Sequence, residues 1–322
     1  MSFSLWCDFI ENDFLDNEFV NLLASNTING ATSNPSIFKN AILNFDSYKE
    51  KIKKLKNKNS KEIYENLAID DIRKCADKLA LNYKNNNDGF VSIELDPRLQ
   101  DKTSLSIAEG KRLYTSISKE NVMIKIPATL NSYDVMYELM KNGISVNATL
   151  VFSLDQTKKC LEVLNLALNE FRKSNIANLK EPQAVISIFV SRFDRLLNNK
   201  VLDKNEIGIL NANLCYNEII KNNDKNIRAL FASTGVKGDD LEKDYYIKEL
   251  LFENSINTAP LDAIYAFKGK KIDFKTPLTN ECLNKKINSN LTFDDLNNAC
   301  EYLLYDGLEQ FCVAYEDILK SL

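Results

Sequence analysis

The 322-residue sequence contains no histidine at all. That excludes Ser-His-Asp and Cys-His catalysis, histidine-ligated zinc and every mechanism using an imidazole as acid or base. Any chemistry has to be run by carboxylates, lysine, hydroxyls and water. Glycine is scarce, at 9 residues, and no glycine-rich phosphate loop follows an apolar run, which argues against a nucleotide-binding open sheet. No apolar stretch approaches the ~18 residues that span a bilayer, and no basic-then-apolar leader opens the chain. The 7 cysteines form no C-x-x-C pair. Dispersed, odd in number and without a leader, they are expected to be reduced thiols of a cytoplasmic protein. The formal charge of −4, with both signs interspersed, gives no general attraction to nucleic acid or to an anionic membrane. The 7 lysines between Tyr48 and Lys61 lack an aromatic ladder and read as a solvated helix face.

What is present is an alternation, from end to end, of short apolar runs with longer helical patterns. The runs are Leu5-Trp6-Cys7, Ala31 to Pro35, Phe90 to Leu95, Val122 to Ile126, Ile144 to Leu150, Ala184 to Val190, Ile227 to Ser233 and Ser255 to Pro260. Helices are expected near 104–118, 132–141, 204–221 and 241–251, with two or more in residues 40–85. Ser153-Leu154-Asp155-Gln156 reads as a capping box opening another, and Thr292 as the cap of a C-terminal helical region, about 292–322. Eight strand-then-helix units in one direction, with no linker to divide them, predict an α/β fold. The expected form is one domain over residues 1–322, an eight-stranded parallel β/α (TIM) barrel with extra helices.

One strand stands apart. In Val122-Met123-Ile124-Lys125-Ile126-Pro127 a lysine interrupts an apolar run, with Ile124 and Ile126 on one face and Lys125 on the other. Burial favours the neutral, nucleophilic form of an amine, and a neutral amine attacks carbonyls. Polar residues also sit in or just past the other runs: Asp8, Asn34, Glu94, Asn147 with Thr149, Ser187, Ser233, and Asn257 with Thr258. Each alone reads as a strand terminator. Gathered at the C-terminal mouth of a barrel, they surround the lysine where such folds do their chemistry. That chemistry is imine formation: Lys125 attacks a ketone, and one of two carboxylates, Asp8 or Glu94, assists dehydration to the iminium. The other takes the hydroxyl proton when the neighbouring carbon–carbon bond breaks. Neither a metal nor a cofactor is needed, and an Asp/Glu metal site is the minor alternative.

These stretches resemble the transaldolase family. The motifs are Ser4-Leu5-Trp6-Cys7-Asp8, Thr32-Ser33-Asn34-Pro35-Ser36-Ile37-Phe38, Val91 to Leu99, and Lys125 with Pro127-Ala128-Thr129. Gly143 to Ser153, Ser187 to Asp194, Ala232 to Lys237, and Asn257-Thr258-Ala259-Pro260 complete the set, in family order from residue 4 to about 260. The length and a helical insertion at about 40–85 are similar to the longer bacterial branch. The resemblance implies that Lys125 is the Schiff-base lysine and that Glu94 acts through a water held with Thr149. It implies Asp8 as acceptor of the C4-hydroxyl proton, and Asn34 and Asn147, with Ser187, as partners of a bound dihydroxyacetone fragment. Arg192 would bind the sugar phosphate. Where other branches carry a second arginine, this chain reads Ser233-Thr234-Gly235-Val236-Lys237, so Ser233 is carried over and Lys237 is the substitute cation.

The implied activity moves dihydroxyacetone from sedoheptulose 7-phosphate to glyceraldehyde 3-phosphate, giving erythrose 4-phosphate and fructose 6-phosphate, in the non-oxidative pentose phosphate pathway. The partners implied are sugar phosphates, with no nucleic acid and no membrane; monomer and homodimer both stay open. Related aldolases that release the three-carbon unit to water are an alternative. They are shorter and carry glutamine at the Glu94 position and tyrosine at that of Phe189, which is placed here among the substrate-binding residues. A catalytically inactive barrel used as a binding surface is the third reading.

Overall fold

The structure is a computed structural model that describes residues 3–174 and 180–322. Eight strands close a parallel barrel in sequence order. They are β1 (Ser4–Cys7), β2 (Gly30–Thr32), β3 (Val91–Glu94), β4 (Val122–Pro127), β5 (Ser145–Val151), β6 (Ala184–Phe189), β7 (Ile227–Ala232) and β8 (Ile256–Ala259). All are buried along their length, which is why they read as continuous apolar runs rather than alternating ones. Outward residues such as Ile124, Ile126, Val146, Ala148, Ile186 and Ile188 pack under the surrounding helices. Inward residues Trp6, Met123, Val185, Leu230 and Ile256, with Phe90 below them, fill the lower barrel.

A buried polar network lies at the foot of that inner core. The Trp6 indole Nε1 donates to Asp88 Oδ2 at 3.0 Å, and Asp88 Oδ1 pairs with the Arg228 guanidinium. Asp88 comes from the expected loop at 85–89, so this pair ties β1 and β7 to the turn before β3. Gly30 lies against the indole ring; a Cβ there would come within 2.6 Å of it.

Between β2 and β3 run three helices, Pro35–Asn44, Ser47–Lys54 and Ser60–Lys84, the last opened by an Asn59/Glu62 capping box. The expected helices near 104–118 and 132–141 are Thr103–Ile117 and Tyr133–Lys141, and Ser153 caps Leu154–Lys173 through the expected box. Three differences matter. The second extended piece stops at Thr32, because Asn34 N-caps the following helix with Pro35 in its first turn. The 204–221 pattern begins only at Ile207, preceded by a short helix Ser191–Leu197. The 241–251 helix shrinks to Tyr245–Glu249, since Asp244 is committed to Lys270 (2.6 Å) and offers no cap hydrogen bond.

The C-terminal region is one 29-residue helix, Phe293–Ser321, capped by Thr292, with Leu261–Phe267 and Asn280–Asn288 before it. The long helix crosses the barrel mouth and packs on Pro35–Asn44, where Lys39 meets Asp317 at 2.7 Å. It comes close at Gly307, where a Cβ would lie 2.8 Å from Leu150 and 3.3 Å from Arg192 Nη1. Leu150 meets it because β5 is irregular there. The β5–β6 register shifts between Ala148 and Val151, and Leu150 adopts φ +54°, which turns its side chain into the inner core. Among the described residues no helix is long and apolar enough to cross a membrane.

Candidate active site

Lys125 is 5% exposed, so the strand's sole charge is inside the barrel. Register places it in one layer with Glu94 on β3 and Asn147 on β5. Its Nζ donates to the Ser33 carbonyl at 3.0 Å and stands 3.3 Å from Glu94 Oε2 as an ion pair. The Phe311 ring from the C-terminal helix covers the amine at 5.6 Å. Burial raises the Glu94 carboxyl above its usual range, and the Lys125 charge pulls it partly back. Apart from that ion pair, neither Glu94 oxygen has a hydrogen-bond partner among the described residues, and the buried Thr149 Oγ1 has none either. Unpartnered buried groups are uncommon in folded proteins, and here Glu94 stands beside the Lys125 amine.

Asp8 follows β1, its N–H donating to the Ala259 carbonyl at 2.9 Å. Its Oδ1 accepts from Thr32 Oγ1 at 2.6 Å, and Thr32 Oγ1 is 2.6 Å from Thr258 Oγ1. Burial raises Asp8 as well, with Lys125 and then the Thr32 hydrogen bond opposing. Two carboxylates are therefore raised by burial and drawn back by the charge of one amine.

A cavity of about 230 Å³ opens above Lys125. Of the residues singled out from sequence, it is lined by Asp8, Asn34, Lys125, Ser187, Phe189, Arg192, Ser233, Lys237 and Thr258, while Asn257 lies outside it. Glu94, Thr149 and Asn147 lie outside its lining. Asn147 is fully buried and already partnered: its Oδ1 accepts from Ser187 Oγ at 2.6 Å and its Nδ2 donates to Ser92 Oγ at 3.1 Å. Asn34 Oδ1 is engaged by the Ile37 N–H at 3.0 Å as the helix cap, which leaves its NH₂ group for the cavity.

The solvent side of the cavity is cationic. Arg192 and Arg195 come from the short helix Ser191–Leu197, and Lys237 from the segment after β7. Arg192 packs over the Phe189 ring at 5.3 Å, with Asp306 Oδ2 3.6 Å from its Nη1. Burial, and then the Arg195 charge, lower the Arg192 guanidinium from its usual value, while Asp306 opposes. Ser233 has φ +54° and its Oγ is 3.1 Å from Ser191 Oγ. Sequence reasoning missed Arg195, Phe311, Ser36 and Thr32 as lining residues. The i, i+3 spacing of Arg192 and Arg195 would have revealed the second arginine had the short helix been recognised. For Phe311 the sequence carries no signal, because it reaches the site only through the packing of the C-terminal helix.

Among the described residues no cluster of three or more Asp, Glu or Cys side chains has metal-binding geometry. The arrangement is a buried amine beside two carboxylates, under a cavity whose outer side carries Arg192, Arg195 and Lys237.

Comparison with known proteins agrees with this chemistry. A sequence model of the "Transaldolase/Fructose-6-phosphate aldolase" family matches residues 5–322. A transaldolase of Campylobacter jejuni subsp. jejuni serotype O:6 is 69% identical over 325 aligned residues, covering 100% of this chain and 99% of the relative. A transaldolase of Helicobacter pylori strain P12 is 44% identical over 327, covering 99% of each. Like these relatives, the chain belongs to the transaldolase/fructose-6-phosphate aldolase family.

Proposed function

We infer that this chain is a transaldolase, a transferase moving a dihydroxyacetone unit between sugar phosphates, with Lys125 forming the Schiff base. The observation that carries the reading is the buried Lys125–Glu94 pair, 3.3 Å apart, at the floor of a cavity lined by Arg192, Arg195 and Lys237.

The contacts support the following steps. Glu94 takes a proton from the Lys125 ammonium, and the amine adds to C2 of the ketose phosphate to give a carbinolamine. Glu94, through a water held also by Thr149 Oγ1, returns a proton to the departing hydroxyl, which leaves as water. The iminium so formed withdraws electrons from the C3–C4 bond. Asp8, raised towards holding a proton, takes the one on the C4 hydroxyl; the bond breaks, an enamine remains on Lys125, and an aldose phosphate leaves. The acceptor aldehyde enters, and the steps run in reverse. Asn34 and Ser187 hydrogen-bond the retained three-carbon unit, with Asn147 orienting Ser187 through their 2.6 Å contact. Phe311 and Phe189 cover the enamine's surroundings with hydrocarbon, which limits its loss to water. Arg192, Arg195, Lys237 and Ser233 receive the phosphate that donor and acceptor share.

The family includes aldolases that release the three-carbon unit. Glu94 and Phe189, in place of the glutamine and tyrosine expected of those, favour transfer. Borohydride reduction in the presence of fructose 6-phosphate, followed by peptide mass mapping, tests the nucleophile. The expected result is a three-carbon adduct on Lys125; no adduct, or one on a surface lysine, overturns the assignment. Addition of erythrose 4-phosphate then separates transfer, which forms sedoheptulose 7-phosphate, from release, which forms free dihydroxyacetone.

A further inference from the structure

The cationic side of the cavity has a counterweight outside its lining. Asp306, on the C-terminal helix, places Oδ2 3.6 Å from Arg192 Nη1, and Gln310 Nε2 donates to the same oxygen at 2.6 Å from one turn further on. The carboxylate is thus fixed towards the arginine. Yet Arg192 Nη1 is buried and makes no hydrogen bond among the described residues. The contact is electrostatic: Asp306 neutralises the guanidinium without occupying its donor. Gly307 next to it brings the helix close enough for this, since any side chain there would strike Leu150 and crowd Nη1.

We propose that Asp306 is a positioning residue that limits the affinity of the Arg192–Arg195–Lys237 group for phosphate, so that phosphorylated substrates and products exchange rather than lodge. The proposal rests on the reading that these three cations receive the substrate phosphate. Three cations converging on one dianion with no opposing charge would bind ground state and transition state alike, which lowers KM without raising kcat. A carboxylate beside Arg192 repels the arriving dianion while leaving the Nη1 donor available to it.

The test is inhibition by inorganic phosphate, measured on the parent, Asp306→Asn and Asp306→Glu. Asn keeps the size and can keep the Gln310 hydrogen bond; Glu keeps the charge. Removing one charge at this range should lower the phosphate inhibition constant of Asp306→Asn by about three- to tenfold at low salt, shrinking as salt screens the site. KM for glyceraldehyde 3-phosphate should fall in parallel, while KM for unphosphorylated D-glyceraldehyde stays put and Asp306→Glu stays near the parent. The proposal is overturned if Asp306→Asn binds phosphate no more tightly, if both variants shift alike, or if unphosphorylated glyceraldehyde moves as much. If phosphate does not compete with sugar phosphates even in the parent, and Arg192→Gln changes nothing, the phosphate reading itself fails.

Discussion

Replacing Thr149 by valine should move stability and catalysis in opposite directions. The Thr149 hydroxyl is buried and has no hydrogen-bond partner among the described residues, and the Glu94 carboxylate has only its ion pair with Lys125. Leaving such a group unmade costs about 1–3 kcal/mol, so exchanging it for a methyl of the same shape should be neutral or stabilising by about 1 kcal/mol. For a chain of this length that is a rise in melting temperature of about 1–2 °C, scaling from the entropy of unfolding per residue. If the hydroxyl's task is to hold a proton-carrying water against Glu94, valine removes general acid–base assistance, worth about 10²–10⁴ in rate. The loss should fall on formation and hydrolysis of the imine, so the rate of borohydride-trappable adduct on Lys125 drops with turnover. Melting followed by circular dichroism and quenched-flow trapping of the adduct read the two effects separately. Thr149→Ser keeps the oxygen and should trap adduct within a few-fold of the parent rate. A valine variant that forms imine at the parent rate would refute the reasoning, and one that melts well below the parent would show that the hydroxyl is structural.

Asp8→Asn should behave differently, keeping imine formation while slowing carbon–carbon cleavage by about 10²–10⁴, so that six-carbon adduct accumulates on Lys125. Mass spectrometry after borohydride decides it: loss of all adduct would place Asp8 in the earlier step. Asp194 gives a pH prediction. It is buried, and burial raises it from 3.8 to about 6 despite hydrogen bonds from the Gly208 N–H and the Tyr246 hydroxyl. Between those values the folded chain binds more protons than the unfolded one, so stability falls as pH rises from about 4 to about 6 and is level above. Asp194→Asn should remove about 3 kcal/mol of that slope. Urea midpoints for both proteins across pH 4–7 check it; a difference independent of pH would contradict it.

How far the molecule could be read in advance depended on what each residue's position is set by. The barrel was legible because parallel strands covered on both faces must be apolar throughout, so Ile124 and Ile126 announced their strand and Lys125 its exception. Asp8, Asn34, Ser187 and Ser233 reach the cavity because strand ends deliver them there whatever the helices do. Asn147 was legible as a site residue but not as one whose amide is already taken by Ser187 and Ser92, since cross-strand pairing depends on a register that a single sequence leaves free. Arg195 was hidden by a seven-residue helix too short to show a period, and Phe311 and Asp306 by a tertiary contact spanning more than a hundred residues.

Trp6, the only tryptophan in the sequence, is fully buried at the closed end of the barrel, with its indole N–H bound to Asp88 and its ring against Gly30. The protein therefore carries an optical probe whose location is known without labelling. Its emission should be shifted to the blue and should report whether β1 is seated between β2 and β8, on which closure of the cylinder depends. Substrate arriving at the mouth meets Asp8, two residues further along the chain, and Thr258, in register with Trp6, so the signal should also report occupancy of the site. A ligand-dependent change in tryptophan fluorescence would then speak of β1 responding to what binds at its end, a coupling read without turnover.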